Sequence, residues 1–271
     1  MKIYLPREEQ DRFLVETVRP LVKDVLDSGA FRYFFFIRYG DPKPHIRLRF
    51  FGSSESVLGR PRVRVQTVLQ EAVKKFSSGS LVTGRYRPER KRYGGRIGVR
   101  LAERLFMQSS LAVLEFLAYR HVQEKKVSRF EFAFVSGEAL VSAMGLDAKS
   151  KRHAFIRERA SDQARAEFEK FSRVFAPVVS RAIAAPGKYW RQTHVLQKSV
   201  NDFSEGIAHL FRDRRGLAKL LSHPLPKLAV SYLHMHYNRL GIVPSEEKLI
   251  RSVRDHYVQT DIGRSKKSRK T

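Results

Sequence analysis

The chain has 271 residues and carries 53 Lys and Arg against 27 Asp and Glu, a formal net charge of +26. Hydrophobic residues make up 42% and aromatic residues 11%, which supports a buried core and excludes a chain disordered by composition. No apolar run reaches the roughly 18 residues of a membrane span, and the absence of cysteine excludes disulfides, thiolate nucleophiles and cysteine-bound zinc.

Residues 7–28 repeat apolar side chains at helical spacing (Phe13, Val18, Leu21, Val22), and Gly29 offers a stop. Residues 31–51, FRYFFFIRYGDPKPHIRLRFF, predict a hairpin with a tight turn at Gly40–Pro44. In its second strand His45, Arg47 and Arg49 face one side, and Ile46, Leu48 and Phe50 face the other, because strand side chains alternate. Residues 52–60 predict a loop, 62–76 a helix, Ser77–Ser80 a break, 81–87 a third strand and 97–121 a long helix after Gly94 and Gly95. The stretch 127–135, VSRFEFAFV, fits strand or helix. A charged linker over 145–160 precedes a helix over 161–184, which Pro177 is expected to kink or shorten. Pro186 and Gly187 mark a break, and helices follow over 200–222, 227–240 and 245–257. Early strands and late helices predict an α+β fold: a small, mostly antiparallel sheet covered by helices, with a helical C-terminal half. One domain is expected over 1–262, followed by a disordered basic tail over 263–271.

Three segments carry candidate chemistry. The first is the strand bearing Arg47 and Arg49. Guanidinium forks bind carboxylates through paired hydrogen bonds, so two on one rigid strand suit an anion; a solvated strand face is the plain alternative. The second is YRPERKRYGG over 86–95, where Glu89 and Arg92 are spaced to meet across a helical turn. The third is HMHYNRL over 234–240. There His234 and Asn238 share a helix face, whereas His236 points about 200° away, so a two-histidine metal site is not expected. A lone histidine on such a helix is more often a core residue. Walker, Rossmann, nucleophile-elbow and zinc-protease patterns are absent from the sequence.

Taken in order, FIRYGDPKPHIRLRF (36–50), YRPERKRYGG and HMHYNRL, with AERLFMQSSLAVLEFL (102–117) between them, resemble the C-terminal elimination domain of class I lantibiotic dehydratases. That domain also occurs as a stand-alone protein in thiopeptide biosynthesis. The resemblance spans about residues 30–257. It implies β-elimination of glutamate from glutamylated Ser or Thr of a ribosomal precursor peptide, leaving dehydroalanine or dehydrobutyrine. By matching position it implies catalytic roles for Arg47, Arg49, Glu89, Arg92 and His234, and substrate contacts from Arg38, His45, Tyr93, Asn238 and Arg239. The arginines would clamp the glutamate carboxylates, and His234 would exchange a proton. No metal or organic cofactor is implied.

The glutamylation domain of the full dehydratases has no counterpart in this sequence. The expected partners are therefore a precursor peptide with its leader and a separate tRNA-dependent glutamylating dehydratase subunit. An indirect contact with tRNA would use some of the positive charge, which predicts an acidic partner unless it serves solubility alone. No membrane partner is expected, and the location is expected to be cytoplasmic. Two alternatives compete. A pyridine synthase of the same fold would join two dehydroalanines by a formal [4+2] cyclisation and eject the leader. A noncatalytic basic module would only bind peptide or RNA. The filled elimination positions favour the lyase. Its site is expected where the hairpin arginines and the late imidazole meet in one cavity.

Overall fold

The computed structural model describes residues 1–76, 79–123, 127–146, 150, 154, 163–185, 188–190 and 193–268. Parts of the expected break at 77–80, of the 145–160 linker and of the basic tail lie outside them, as do Pro186 and Gly187. So do the side chains of 163–168 and those beyond Tyr257. Within the stretch expected as one domain, the chain divides into two compact units, Met1–Lys126 and Val127–Thr271. The first holds the sheet and the second is helical, so the expected α+β class holds.

In the first unit, β1 (Lys2–Tyr4), β2 (Tyr33–Tyr39), β3 (His45–Phe51) and β4 (Ser80–Val82) form one antiparallel sheet in the order β2-β3-β1-β4. The hairpin pairs Phe35 with Arg49, Ile37 with Arg47 and Tyr39 with His45, so these six side chains share one face. Phe34, Phe36, Ile46 and Leu48 take the other and are fully buried. The short β1, which hydropathy did not signal, lies between β3 and β4 and sets the length of both of its ladders. The third predicted strand therefore stops at Val82 instead of running to Arg87.

The first helical stretch is α1 (Arg7–Phe13), a π-helical turn (Leu14–Val18) and α2 (Arg19–Asp27). Pro20 cannot donate a backbone hydrogen bond, and the wider π turn immediately before it accommodates that gap. Ser53 caps a short α3 (Ser54–Leu58) by accepting from the Ser56 N–H at 3.1 Å, where a plain loop was expected. Helix α4 (Arg60–Val73) follows. Helix α5 (Gly95–Val122) starts at Gly95 with Gly94 as its N-cap, both at positive φ, and runs along the outer edge of β2. The buried Ser110 hydroxyl there accepts the Phe36 N–H at 3.2 Å, closing part of a sheet edge that would otherwise be unpaired.

The second unit is built around α6 (Arg129–Ala143), in which every residue from Phe132 to Val141 is buried. Ser128 accepts the Glu131 N–H at 3.0 Å, an N-cap that settles the ambiguous 127–135 stretch as helix. Around it lie α7 (Gln163–Ala184), α8 (His194–Leu210), α9 (Arg214–Leu220), α10 (Leu225–Leu240) and α11 (Pro244–Ser268). Helix α7 continues through Pro177, with Phe171 and Phe175 packed on Phe130 and Phe134. The single helix expected over 200–222 is two, because Asp213 caps a new start by accepting the Gly216 N–H. The last helix, expected to end at 257, continues to Ser268.

Gly137 of α6 lets α10 approach closely. A Cβ there would sit 2.5 Å from the buried Tyr237 hydroxyl. Gly137→Ala is expected to destabilise the protein by about 1–3 kcal/mol through overpacking. In an open helix the same change stabilises, so the sign of the shift in a urea titration decides.

Candidate active site

Four of the five expected catalytic residues, Arg47, Arg49, Glu89 and Arg92, lie in the first unit, and His234 lies in the second. Each set has its own geometry.

Strand alternation puts Arg47 and Arg49 on the same sheet face. The Arg47 guanidinium lies 3.4 Å from the Tyr39 ring centroid, and its Nε donates to His45 Nε2 at 3.0 Å. His45 Nδ1 in turn donates to the Lys43 carbonyl at 2.8 Å. The His45 ring is wholly buried and packs on Tyr4 and Tyr39. Burial lowers its pKa, as do Arg47 and Lys2, despite the Lys43 hydrogen bond, so it stays neutral. His45 thus orients Arg47 from a wholly buried position.

Arg49 stacks 4.6 Å from the Tyr86 ring centroid, and its buried Nε has no hydrogen-bond partner. Burial lowers its pKa, and Arg47 lowers it further, with Tyr86 opposing. Tyr86 is held by a hydrogen bond to Glu103 of α5, which also accepts from Tyr33 at 3.3 Å. Burial raises the Glu103 carboxyl above its ordinary value, although both phenols stabilise its charge. Among the described residues no carboxylate pairs with Arg47 or Arg49.

Two pockets meet at Arg85 and Tyr86. One, of 650 Å³, is lined by Arg49, Arg62 and Arg85 with an apolar wall that includes Phe31, Phe50 and Leu58. No acidic side chain lines it. The other, of 740 Å³, is formed by residues 85–92 and includes Glu89 and Arg92, which pair at 3.3 Å on the surface. Both volumes lie in the range of small-ligand sites.

Three expected substrate contacts are engaged elsewhere. Arg38 lies on the opposite sheet face from Arg47 and binds Asp11 at 2.8 Å. Tyr93 is buried edge-on against Phe106. Arg239 is fully buried and donates to the Met235 carbonyl at 2.7 Å. Each is a packing or tethering residue in this fold.

In the second unit His234 and Asn238 are half-buried on one side of α10, as their spacing predicts, and His236 turns into the core. His236 stacks on Phe203 and donates to Ser136 at 2.7 Å. Burial and Arg239 push its pKa down to about 3, so it is a neutral core histidine. His234 instead bonds through Nδ1 to Glu247 Oε2 at 2.7 Å, and Arg251 holds Glu247 from its other side. Sequence reasoning missed Tyr86, Glu103, Glu247 and Arg251. The usable signal for Glu247 was its place about two turns after Gly241, mirroring His234 about two turns before it. Among the described residues no three His, Asp or Glu cluster as metal ligands, and no helix is long and apolar enough to cross a membrane.

The sequence pattern of the family described as lantibiotic biosynthesis dehydratase C-term matches residues 1–258. The subtilin biosynthesis protein SpaB of Bacillus subtilis is 26% identical over 170 residues, covering 63% of this chain and 16% of SpaB. The fold is similar to that of the tRNA-dependent lantibiotic dehydratase MibB from Microbispora sp. 107891. The TM-score is 0.76 at 21% identity, over 97% of this chain and 28% of MibB. It is also similar to TbtD, a pyridine synthase from thiomuracin biosynthesis, with a TM-score of 0.66 at 17% identity over 94% of this chain and 95% of TbtD. The chain thus spans less than a third of SpaB and of MibB.

Proposed function

The chain belongs to the lantibiotic dehydratase C-terminal family, and on that premise we propose that it eliminates glutamate from glutamylated Ser or Thr of a ribosomal precursor peptide. The observation that carries this function is the unneutralised arginine pair on β3, with the Arg49 Nε buried and unpartnered at the wall of a ligand-sized pocket. A buried donor without a partner costs stability, so its retention points to an acceptor that arrives with the substrate.

Elimination makes an anion in two places. A base removes the α-proton of the esterified residue, and the electron pair moves into a Cα–Cβ double bond. The Cβ–O bond breaks, and glutamate leaves as a carboxylate carrying a second carboxylate on its side chain. Arg47 and Arg49 fork those carboxylates, favouring the charge that grows in the transition state. Arg92, tethered by Glu89, adds a third cation. The apolar wall beside Arg62 and Arg85 takes the peptide residues that flank the ester. His234 exchanges the proton. A separate glutamylating enzyme supplies the ester, and the precursor's leader accounts for part of the +26 charge.

The test is mass spectrometry of a glutamylated peptide incubated with the full chain. The expected product is free glutamate and a peptide one water lighter than its unmodified form. An intact ester, together with cyclisation of a dehydrated peptide and a released leader fragment, would establish the pyridine synthase instead. Binding without any change in mass would leave only a peptide-binding module.

A further inference from the structure

His234 has a backing that ordinary surface histidines lack. Helix α10 ends at Gly241, whose φ of 80° lets its N–H reach the Asn238 carbonyl and lets the Ile242 N–H reach that of Tyr237. The chain then turns back into α11, with the Val243 N–H held by Glu246 Oε2 at 2.8 Å. This tight helical hairpin brings the first turn of α11 against the last two turns of α10, and Glu247 Oε2 meets His234 Nδ1 at 2.7 Å.

The carboxylate is itself fixed. Arg251, one turn further along α11, contacts Glu247 Oε1 through Nε at 2.9 Å and Nη2 at 2.7 Å. Its Nη2 also reaches the Val230 carbonyl of α10 at 3.1 Å. The Glu247 and Arg251 side chains are 2% and 0% exposed, whereas that of His234 is 34% exposed. An accessible imidazole is therefore backed by a buried anion, and that anion by a buried cation. Burial pushes the Glu247 carboxyl up, but the His234 hydrogen bond and the Arg251 charge outweigh it and hold the group below its ordinary value. The positive end of α11 adds to the same effect.

An ionised carboxylate only accepts hydrogen bonds, so Nδ1 must carry the proton. The accessible Nε2 has no partner among the described residues. A base oriented by a third group is the general arrangement of an activated imidazole, and the partner of one ring nitrogen decides what the other can do.

We propose that Glu247, locked by Arg251, is the positioning residue that presents His234 Nε2 as the proton-exchanging atom of the elimination. This rests on the function proposed above. Glu247 holds the ring, selects its tautomer and stabilises the imidazolium that forms when Nε2 takes a proton. A purely mechanical tie between α10 and α11 would need none of these.

The test combines two readouts on the full chain. Nitrogen-15 NMR of the histidines, assigned with His234→Gln, is expected to show His234 as the Nδ1–H tautomer in the unaltered protein. Glu247→Gln, which keeps the shape and removes the charge, is expected to lower kcat about 10²-fold with little change in KM and to weaken the Nδ1–H preference. An Nε2–H tautomer in the unaltered protein overturns the inference whatever the activity, and needs no variant to fold. An unchanged kcat in folded Glu247→Gln also overturns it. An inert wild-type chain that still shows the Nδ1–H signature supports Glu247's hold on the ring and sinks the elimination function instead.

Discussion

Arg49→Ala is expected to lower kcat/KM for a glutamylated peptide by about 10²–10³-fold, the usual cost of deleting one donor that stabilises developing charge. It should do so without lowering stability. In the free protein Arg49 is a burden: its Nε is buried without a partner, and burial and Arg47 both disfavour its charge. The stack on Tyr86 and the nearby Tyr39 offset part of this. Alanine removes the burden, so a urea titration should show stability equal to or above that of the unaltered chain, the trade expected at an active site. Arg38→Ala should behave in the opposite way. Arg38 is paired with Asp11 across α1 and β2, so its loss should lower stability and leave turnover nearly intact. Arg49→Lys keeps the charge but loses the planar fork and the flat stack, and should recover only part of the activity. Stability and activity falling together in Arg49→Ala would make it a structural arginine and remove the central support for an anion site on β3.

The contrast between Arg38 and Arg49 shows where the sequence was legible. Period-two alternation identified the β2–β3 hairpin, the face of Arg47 and Arg49, and the apolar face of Ile46 and Leu48, because each depends on neighbours along one strand. The same alternation places Arg38 on the other face. Its partner Asp11 is distant in sequence, and nothing local announces that pair. Arg239 was read by motif, whereas its helix position turns it fully inward. In 127–135 the alternating Phe130, Phe132 and Phe134 fit a strand as well as a helix, and the deciding feature is the Ser128 N-cap that accepts the Glu131 N–H. The separation of His234 from His236 was legible from helix geometry alone. The Tyr86–Glu103 support behind Arg49 was not, since a turn residue and a helix residue meet there only after α5 lies along β2.

The largest effect on stability is expected at Glu138, in the middle of α6. Its carboxylate faces the Arg254 guanidinium of α11, with Nε to Oε1 at 2.5 Å and Nη2 to Oε2 at 3.3 Å. Both side chains are almost wholly buried. Glu138→Ala removes the anion opposite a charge that water cannot reach, which costs about 3–5 kcal/mol in comparable buried pairs. That is a large share of a typical folding free energy. Replacing both partners with apolar residues of similar volume, Glu138→Met with Arg254→Met, should recover most of the loss, because the penalty comes from stranding one charge and not from lacking the pair. The consequence for function follows from position. Arg254 lies on the same helix as Glu247, two turns beyond it, so slackening α11 against α6 should loosen the carboxylate that holds His234. At a temperature where Glu138→Ala remains folded, kcat should fall while the double variant keeps it. A loss below about 1 kcal/mol in Glu138→Ala would place the pair among solvent-screened surface bridges and would remove the anchor that keeps α11 in register with His234.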